Sequence, residues 1–424
     1  IKVIDKLGNS SGGIMLGSLL GERCNEIVID GNGPDIKRES GFTAEYSDEG
    51  VDWYSKKPKL VYEVKDDNLK SVEIKVNGVK VDADGVGDKY MVDLSKVTDG
   101  DVKVEIVAKD KSGNTSSDTY TFKYDSTSPY DVQAIQKEGY KEYDGKVYFK
   151  TSPEVTVSAK DSGVGVSNVL VNGEEIKNSK FNITDGSFSL VVKDKLGNTT
   201  KEYKLSDLLG FKGNTYVIDG VDPSIKEDSG FKEDLKSDDK LWFATVPELV
   251  YSISDANIHS ITITVGDKEY TPTINDEGKY KVNLTGIKDG EVKVGVTVED
   301  KAGNVSRDTY VFSLDMSIPT GVTGKVDKSF LVEDGVMYFK EKPTLSLEAT
   351  DSGVGIGKFI FDSVENTTGK FEVGDGNHLI KVEDKLGNTV DGITLGSLLG
   401  VDGNRVVIDG SAPVIKEESG YKAD

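Results

Sequence analysis

The chain of 424 residues has one cysteine, Cys24. No intrachain disulfide is possible, and each core must hold by packing alone. A lone cysteine does not exclude an extracellular location, because long domains build their own cores. Cys24 itself reads as a small buried apolar side chain. Only two histidines occur, His259 and His378, and neither has a His or Cys at ligand spacing. A zinc site is therefore not expected, and both read as ordinary strand or turn residues. No run of about 18 apolar residues exists, which excludes a membrane-spanning helix. The first residues lack the charged-then-apolar pattern of a secretory leader. Positive charge is also short: 52 basic against 74 acidic side chains, a net −22. That balance argues against wrapping nucleic acid or docking on an anionic membrane. It suits solubility, and cation binding wherever carboxylates converge. No Gly-x-Ser-x-Gly, no Cys/His arrangement and no carboxylate pair marked for catalysis is present, so no enzymatic role is expected.

What is present repeats. Asp194-Lys195-Leu196-Gly197-Asn198 recurs at Asp5–Asn9 and Asp384–Asn388, with close relatives at Asp110–Asn114 and Asp300–Asn304. Alternating strands flank the loop. Val102, Val104, Ile106 and Ala108 lead into Asp110, and Tyr120, Phe122 and Tyr124 follow Asn114. Alternation on both sides of a short Gly-containing loop predicts a β-hairpin. The Asp accepts turn N–H groups, and Gly supplies a positive φ.

Each repeat is entered through Asp-x-x-x-Pro, with prolines at 34, 129, 223, 319 and 413, spaced 95, 94, 96 and 94 apart. Such an even period predicts a repeat protein. Within each repeat an aromatic pair comes first (Trp53-Tyr54, Tyr148-Phe149, Trp242-Phe243, Tyr338-Phe339), then a proline and an alternating strand. A loop opening on Asp follows: Asp66-Asp67-Asn68, Asp161-Ser162-Gly163, Asp255-Ala256-Asn257 or Asp351-Ser352-Gly353. A further strand, an Asp-Gly turn and the hairpin close the repeat. One ring of each aromatic pair should point inward. About seven short strands in some 95 residues fit a β-sandwich of immunoglobulin type. At 36% hydrophobic and 30% charged residues, the chain suits a string of small domains better than one large globule.

The expected domains are 31–125, 126–220, 221–315 and 316–409. Residues 1–30 would be the C-terminal part of one such domain, and 410–424 the start of another. A segment of a longer chain is therefore expected. Two kinds alternate. From hairpin Asp to linker Asp the first kind has 15 positions (Asp110 to Asp125, Asp300 to Asp315). The second kind has 25 (Asp5 to Asp30, Asp194 to Asp219, Asp384 to Asp409). The extra residues carry Leu-x-x-Leu-Leu-Gly, read either as a helical turn or bulge plugging the sandwich end or as an apolar patch for a partner.

Stacking such sandwiches end to end as a rod would bring the linker Asp of one beside two loops of the next. The sets are Asp30, Asp67 and Asp110; Asp125, Asp161 and Asp194; Asp219, Asp255 and Asp300; and Asp315, Asp351 and Asp384. Three converging carboxylates repel unless solvated or neutralised. Ca²⁺ takes about six to eight oxygens in flexible geometry. Calcium at the junctions is one reading; Asp residues that each cap their own turn are the other. No EF-hand loop is present. The Asp-Ser-Gly-Val-Gly segments precede strands, which disfavours phosphate cradling. A Lys–Asn isopeptide bond is compatible with such a sandwich, though no lysine stands out for it.

The Val-x-Asp-Lys-x-Gly-Asn hairpins with Asp-x-x-x-Pro linkers resemble the tandem bacterial immunoglobulin-like domains of large cell-surface proteins and adhesins. The resemblance covers essentially the whole chain. It departs in the alternating two-domain period and the Leu-rich insertions, which put the usual junction geometry in doubt after the second kind. It implies an extracellular stalk at a bacterial surface, sometimes with calcium at the junctions, that projects a distal module. Its partners would be neighbouring domains of the same chain and a host or surface ligand bound elsewhere. Four domains of about 40 Å would reach on the order of 150 Å. The alternatives are a self-assembling filament, surface-layer or phage-appendage subunit, or a carbohydrate- or partner-binding accessory region.

Overall fold

The computed structural model describes residues 2–416 except 8, 11 and 25. Gly8 of the first hairpin and residues 417–424 of the expected last domain thus lie outside the described residues. The chain divides into two halves, Ile1–Ile218 and Asp219–Asp424. Each half holds two separate hydrophobic cores. Tyr54 to Phe122 and Ala134 to Tyr216 enclose those of the first half. Phe243 to Leu314 and Met337 to Val406 enclose those of the second. We call the surrounding sandwiches I to IV.

The alternating pattern becomes the hairpin it predicts. Strands Gly100–Asp110 and Thr115–Tyr124 pair antiparallel, Ile106 opposite Asp118 and Val104 opposite Tyr120. Val104, Ile106 and Ala108 are wholly buried on one face. Thr115–Tyr124 also pairs in parallel with Val51–Tyr54, so the aromatic pair lies beside the last strand. Sandwich I packs this six-stranded sheet against a four-stranded one containing Asp35–Ser40 and Val61–Lys65. Sandwich III repeats the arrangement.

In sandwiches II and IV the last strand is interrupted. In II, Tyr203–Lys204 gives way to a five-residue helix, Leu205–Leu209 (α2), before Thr215–Ile218 completes the sheet beside Lys146–Phe149. Leu395–Leu399 (α3) does the same in IV, ahead of Arg405–Ile408. So short a helix is unstable alone, and tertiary contacts hold it. Leu205 and Leu395 have no exposed surface. Gly210, at φ 78°, ends α2 in the left-handed region that a Cβ disfavours. The Asn214 side chain accepts the Ser206 N–H at 3.1 Å and donates to the Phe188 carbonyl at 3.0 Å. The insertions in II and IV are therefore plugs. The same helix at Leu16–Leu20 (α1) leaves Leu19 and Leu20 60% and 66% exposed. The described residues before Asp30 contribute to none of the four cores. Cys24 lies in this stretch and is exposed, which corrects the expected burial.

Each aromatic pair sends a ring inward, and Tyr148-Phe149 buries both. Trp53 and Trp242 are half-buried, each with a lysine ammonium, of Lys123 and Lys240, over one ring face. Phe361 stacks on the buried His378, whose ring nitrogens meet the Asp362 carboxylate at 2.8 Å and the Gly374 carbonyl at 3.0 Å. His259 is exposed on Ile258–Val265. Among the described residues no lysine is buried, so none sits in a core for an isopeptide bond. No helix of the described residues is long and apolar enough to cross a membrane.

Arg38 on the first strand of sandwich I forks onto Asp118 of the hairpin, Nε to Oδ2 at 2.7 Å and Nη2 to Oδ1 at 3.0 Å. Burial opposes ionisation of Asp118, but the Arg38 hydrogen bonds outweigh it and hold the carboxyl below its usual 3.8. A depressed carboxylate contributes stability above its unfolded value and loses it as pH falls through the folded one.

Two outcomes are expected. Leu205→Ala should cost about 2–5 kcal/mol in urea unfolding, and Leu19→Ala less than about 0.5. Arg38→Met should cost about 0.5–1 kcal/mol, because the pair is a third exposed. Its gap to wild type should hold from about pH 8 to about pH 5 and close below about pH 4.

Candidate metal centres at the sandwich entries

The hairpin Asp is satisfied first by its own loop. Asp194 Oδ1 accepts the N–H groups of Leu196 and Asn198 at 2.9 and 2.8 Å, and Oδ2 accepts the Asn198 amide at 2.7 Å. Asp300 and Asp384 repeat the arrangement with Asn304 and Asn388. The same bonds form from Asn9 to Asp5. The turn-capping reading therefore holds for these residues. It does not exhaust them. Each Asn amide also donates to a linker carbonyl: Asn114 to Asp30, Asn198 to Asp125, Asn304 to Asp219 and Asn388 to Asp315, at 2.7–3.1 Å. One side chain thus ties the hairpin to the segment through which the chain enters the sandwich.

The linker carboxylates follow the two kinds of sandwich. Entering II and IV, Asp125 and Asp315 accept the N–H groups of Val164 and Val354, both at 2.8 Å. Asp125 and Asp315 lie against Gly163 and Gly353, where a Cβ would fall 2.0 Å from the carboxylate oxygen. The Gly-rich loop is thus required by a close approach. Entering I and III, the Asn68 and Asn257 amides donate to Asp30 and Asp219 at 3.1 and 2.6 Å.

Four groups result: Asp30, Asp66 and Asp110; Asp125, Asp161 and Asp194; Asp219, Asp255 and Asp300; Asp315, Asp351 and Asp384. In each, one carboxylate oxygen per residue lies within 4.8 Å of the others. Every residue expected from sequence is present except Asp67, which is exposed. Asp66 takes its place. Asp66 aligns with Asp161, Asp255 and Asp351 and caps the Asn68 N–H at 2.6 Å. The next side chain along the loop turns to solvent.

Three carboxylates this close repel by about 3 kcal/mol per pair at an effective dielectric near 20. Burial, and then the charges of Asp351 and Asp384, push Asp315 above the usual carboxylate range, against its bonds from Val354 and Ser317. Asp110 moves the other way. Burial opposes its ionisation, but the Asn114 side chain and the loop N–H groups overcome it. In II and IV one carboxylate oxygen is left over. Asp161 and Asp351 spend Oδ2 on two loop N–H groups each. Their Oδ1 atoms are buried without a hydrogen-bond partner. An orphaned buried oxygen beside two further carboxylates fits a hard cation. Oxygens around one Ca²⁺, at about 2.3–2.6 Å, stand at most about 5 Å apart.

Sequence reasoning gave no role to the hairpin Asn or to the Asp of the Asp-Gly turns. Asp185 and Asp375 accept the Ile218 and Ile408 N–H groups at 2.7 and 2.6 Å. Asp99 and Asp289 hold Ser126 and Met316 in the same way. The first two bonds fix the last strand just before the next linker, and the other two hold the linker itself one residue past its Asp. Their signal was recurrence of the same residue at one offset within each kind of sandwich.

Residues 217–316, which contain sandwich III, match the family model described as a bacterial Ig-like domain. This segment is similar to a bacterial Ig-like domain. The hairpin, linker and entry cluster of that domain recur in the other three sandwiches. Solved structures similar to the chain include a tetra-tandem repeat in the extending region of a large adhesion protein. It shares 16% identity over 85% of this chain and 97% of that one, at a TM-score of 0.30. A Ca²⁺-stabilized adhesin of an Antarctic bacterium shares 18% over 80% and 92%, at 0.27. A 1.5-MDa bacterial ice-binding adhesin shares 19% over 61% and 91%, at 0.24. Scores this low carry no argument about arrangement or role. No curated protein matches the chain.

Asn198→Ala should destabilise by about 1–3 kcal/mol, because it orphans acceptors on Asp194 and Asp125. Asn198→Asp, of the same shape, should cost more at neutral pH by adding a fourth carboxylate, with urea unfolding as the measure.

Proposed function

We propose that this chain is a spacer segment of a bacterial cell-surface or secreted protein, built of consecutive Ig-like domains whose entries are clamped by Ca²⁺. The domains are 31–125, 126–220, 221–315 and 316–409. One observation carries the reading: the same three-carboxylate group recurs at four successive entries. Repeating arrays act through reach and stiffness. The cation would be held by Asp30, Asp66 and Asp110 and by the three corresponding sets. It would neutralise charges that otherwise push the linker away from the loops. The residues themselves orient the site through the hairpin Asn and the loop N–H groups. The chain serves to hold a distal module away from the surface, and it contacts neighbouring domains of the same protein.

The test is thermal unfolding and small-angle scattering of the chain in Ca²⁺ and in chelator. At a hundred times Kd, each occupied site should add about 2.7 kcal/mol, a shift in midpoint on the order of 10 °C. The largest dimension should be better defined with Ca²⁺. Asp161→Asn and Asp351→Asn should remove most of the shift for sandwiches II and IV. Identical midpoints and scattering in the two conditions would reject the calcium clamp.

A further inference from the structure

Sandwiches I and III are built alike, and one position differs in sign. Arg38 stands opposite Tyr62 in the first ladder of I, and Glu227 stands opposite Tyr251 in III. Around Arg38 the Phe42 ring meets Tyr62 and Tyr120, both at 5.0 Å. Around Glu227 the Phe231 ring meets Tyr251 and Tyr310 at 5.0 and 4.9 Å. The aromatic cradle is therefore the same.

In sandwich I the cradle is full. The Arg38 guanidinium lies 4.9 Å from the Tyr120 ring centre and 5.6 Å from that of Phe42. It forks onto both Asp118 oxygens and donates to the Thr119 carbonyl at 2.7 Å. In sandwich III the acidic partner remains, because Asp308 aligns with Asp118 in the hairpin register. No cation faces it. Oδ2 of Asp308, whose counterpart takes the Arg38 Nε at 2.7 Å, is buried and without a partner. Tyr251 is wholly buried, and its hydroxyl faces Asp308 without closing a hydrogen bond of normal geometry; burial, and then the Asp308 charge, push the hydroxyl above its ordinary range. A second carboxylate, Glu227, stands exposed at the rim. Burial and the charge of Asp308 push Glu227 above the usual carboxylate range. Two carboxylates and two ring faces are thus left without the cation that the same walls hold in sandwich I.

We infer that sandwich III binds a guanidinium group from outside the domain, the side chain of an arginine on a protein partner, between Phe231, Tyr310, Asp308 and Glu227. The planar fork matches the Asp308 carboxylate as it does in sandwich I, and its face lies on the rings. Glu227 adds a second negative charge, and its exposure leaves the entrance open. An ammonium is a point charge that cannot fork onto one carboxylate while covering a ring, so arginine should be preferred over lysine. The site is independent of the calcium clamp, since neither Glu227 nor Asp308 belongs to a three-carboxylate group.

The test is calorimetric titration of the whole chain with N-acetyl-arginine amide, in chelator so that the entry clusters do not contribute. One saturable site per chain is expected, at least several-fold weaker for N-acetyl-lysine amide. Asp308→Asn should weaken it at least tenfold. Glu227→Arg should abolish it and raise the unfolding midpoint, by supplying the missing cation from within. Arg38→Glu should open the same site in sandwich I and double the stoichiometry. Absence of saturable binding, binding unchanged in both Asp308→Asn and Glu227→Arg, or equal affinity for the lysine derivative would overturn the assignment. Should Glu227→Arg not fold, Asp308→Asn and Arg38→Glu decide the question.

Discussion

The structure depends on one hydrogen-bonded knot, in which a buried hairpin Asp is closed by its own loop and an Asn amide reaches out to the entering chain. Asp110, Asp194, Asp300 and Asp384 are at most 4% exposed. Buried charges like these survive only when hydrogen-bonded. The loop N–H groups and the Asn provide those bonds. The other N–H of the same amide then fixes a linker carbonyl. Local turn chemistry and domain entry are thus one interaction, and losing the Asn would loosen both.

The knot creates a second problem. Fixing the linker backbone brings its Asp side chain against two other carboxylates. The two kinds of sandwich answer differently. In I and III an Asn amide meets the linker carboxylate. In II and IV a glycine opens space for it and backbone N–H groups receive it, while Asp161 and Asp351 each keep a bare oxygen. Neither answer neutralises the charge, and a bound cation would.

Much of this was legible beforehand. The hairpins, the period and most of the clustered Asp residues followed from alternation, turn residues and recurrence, which are local signals. Asp67 was the miss. The repeat offset from linker Asp to loop Asp, the same for Asp66, Asp161, Asp255 and Asp351, already favours Asp66, and the capping bond to Asn68 shows that it is the one turned inward. Cys24 was misjudged because burial needs a partner surface, and the described residues before Asp30 meet none of the four cores. The insertions stayed open between plug and patch for the same reason.

The amino-acid order alone determined strand, turn and repeat, because a period of two and the demands of a tight turn are written within a few residues. Tertiary structure decided which side chains share a site. Arg38 and Asp118 are 80 positions apart, and nothing in their spacing announces a pair. Nor does spacing show that Glu227 occupies the place of Arg38 within the same aromatic walls. Such contacts arise where strands distant along the chain are laid side by side, and that register is set by core packing.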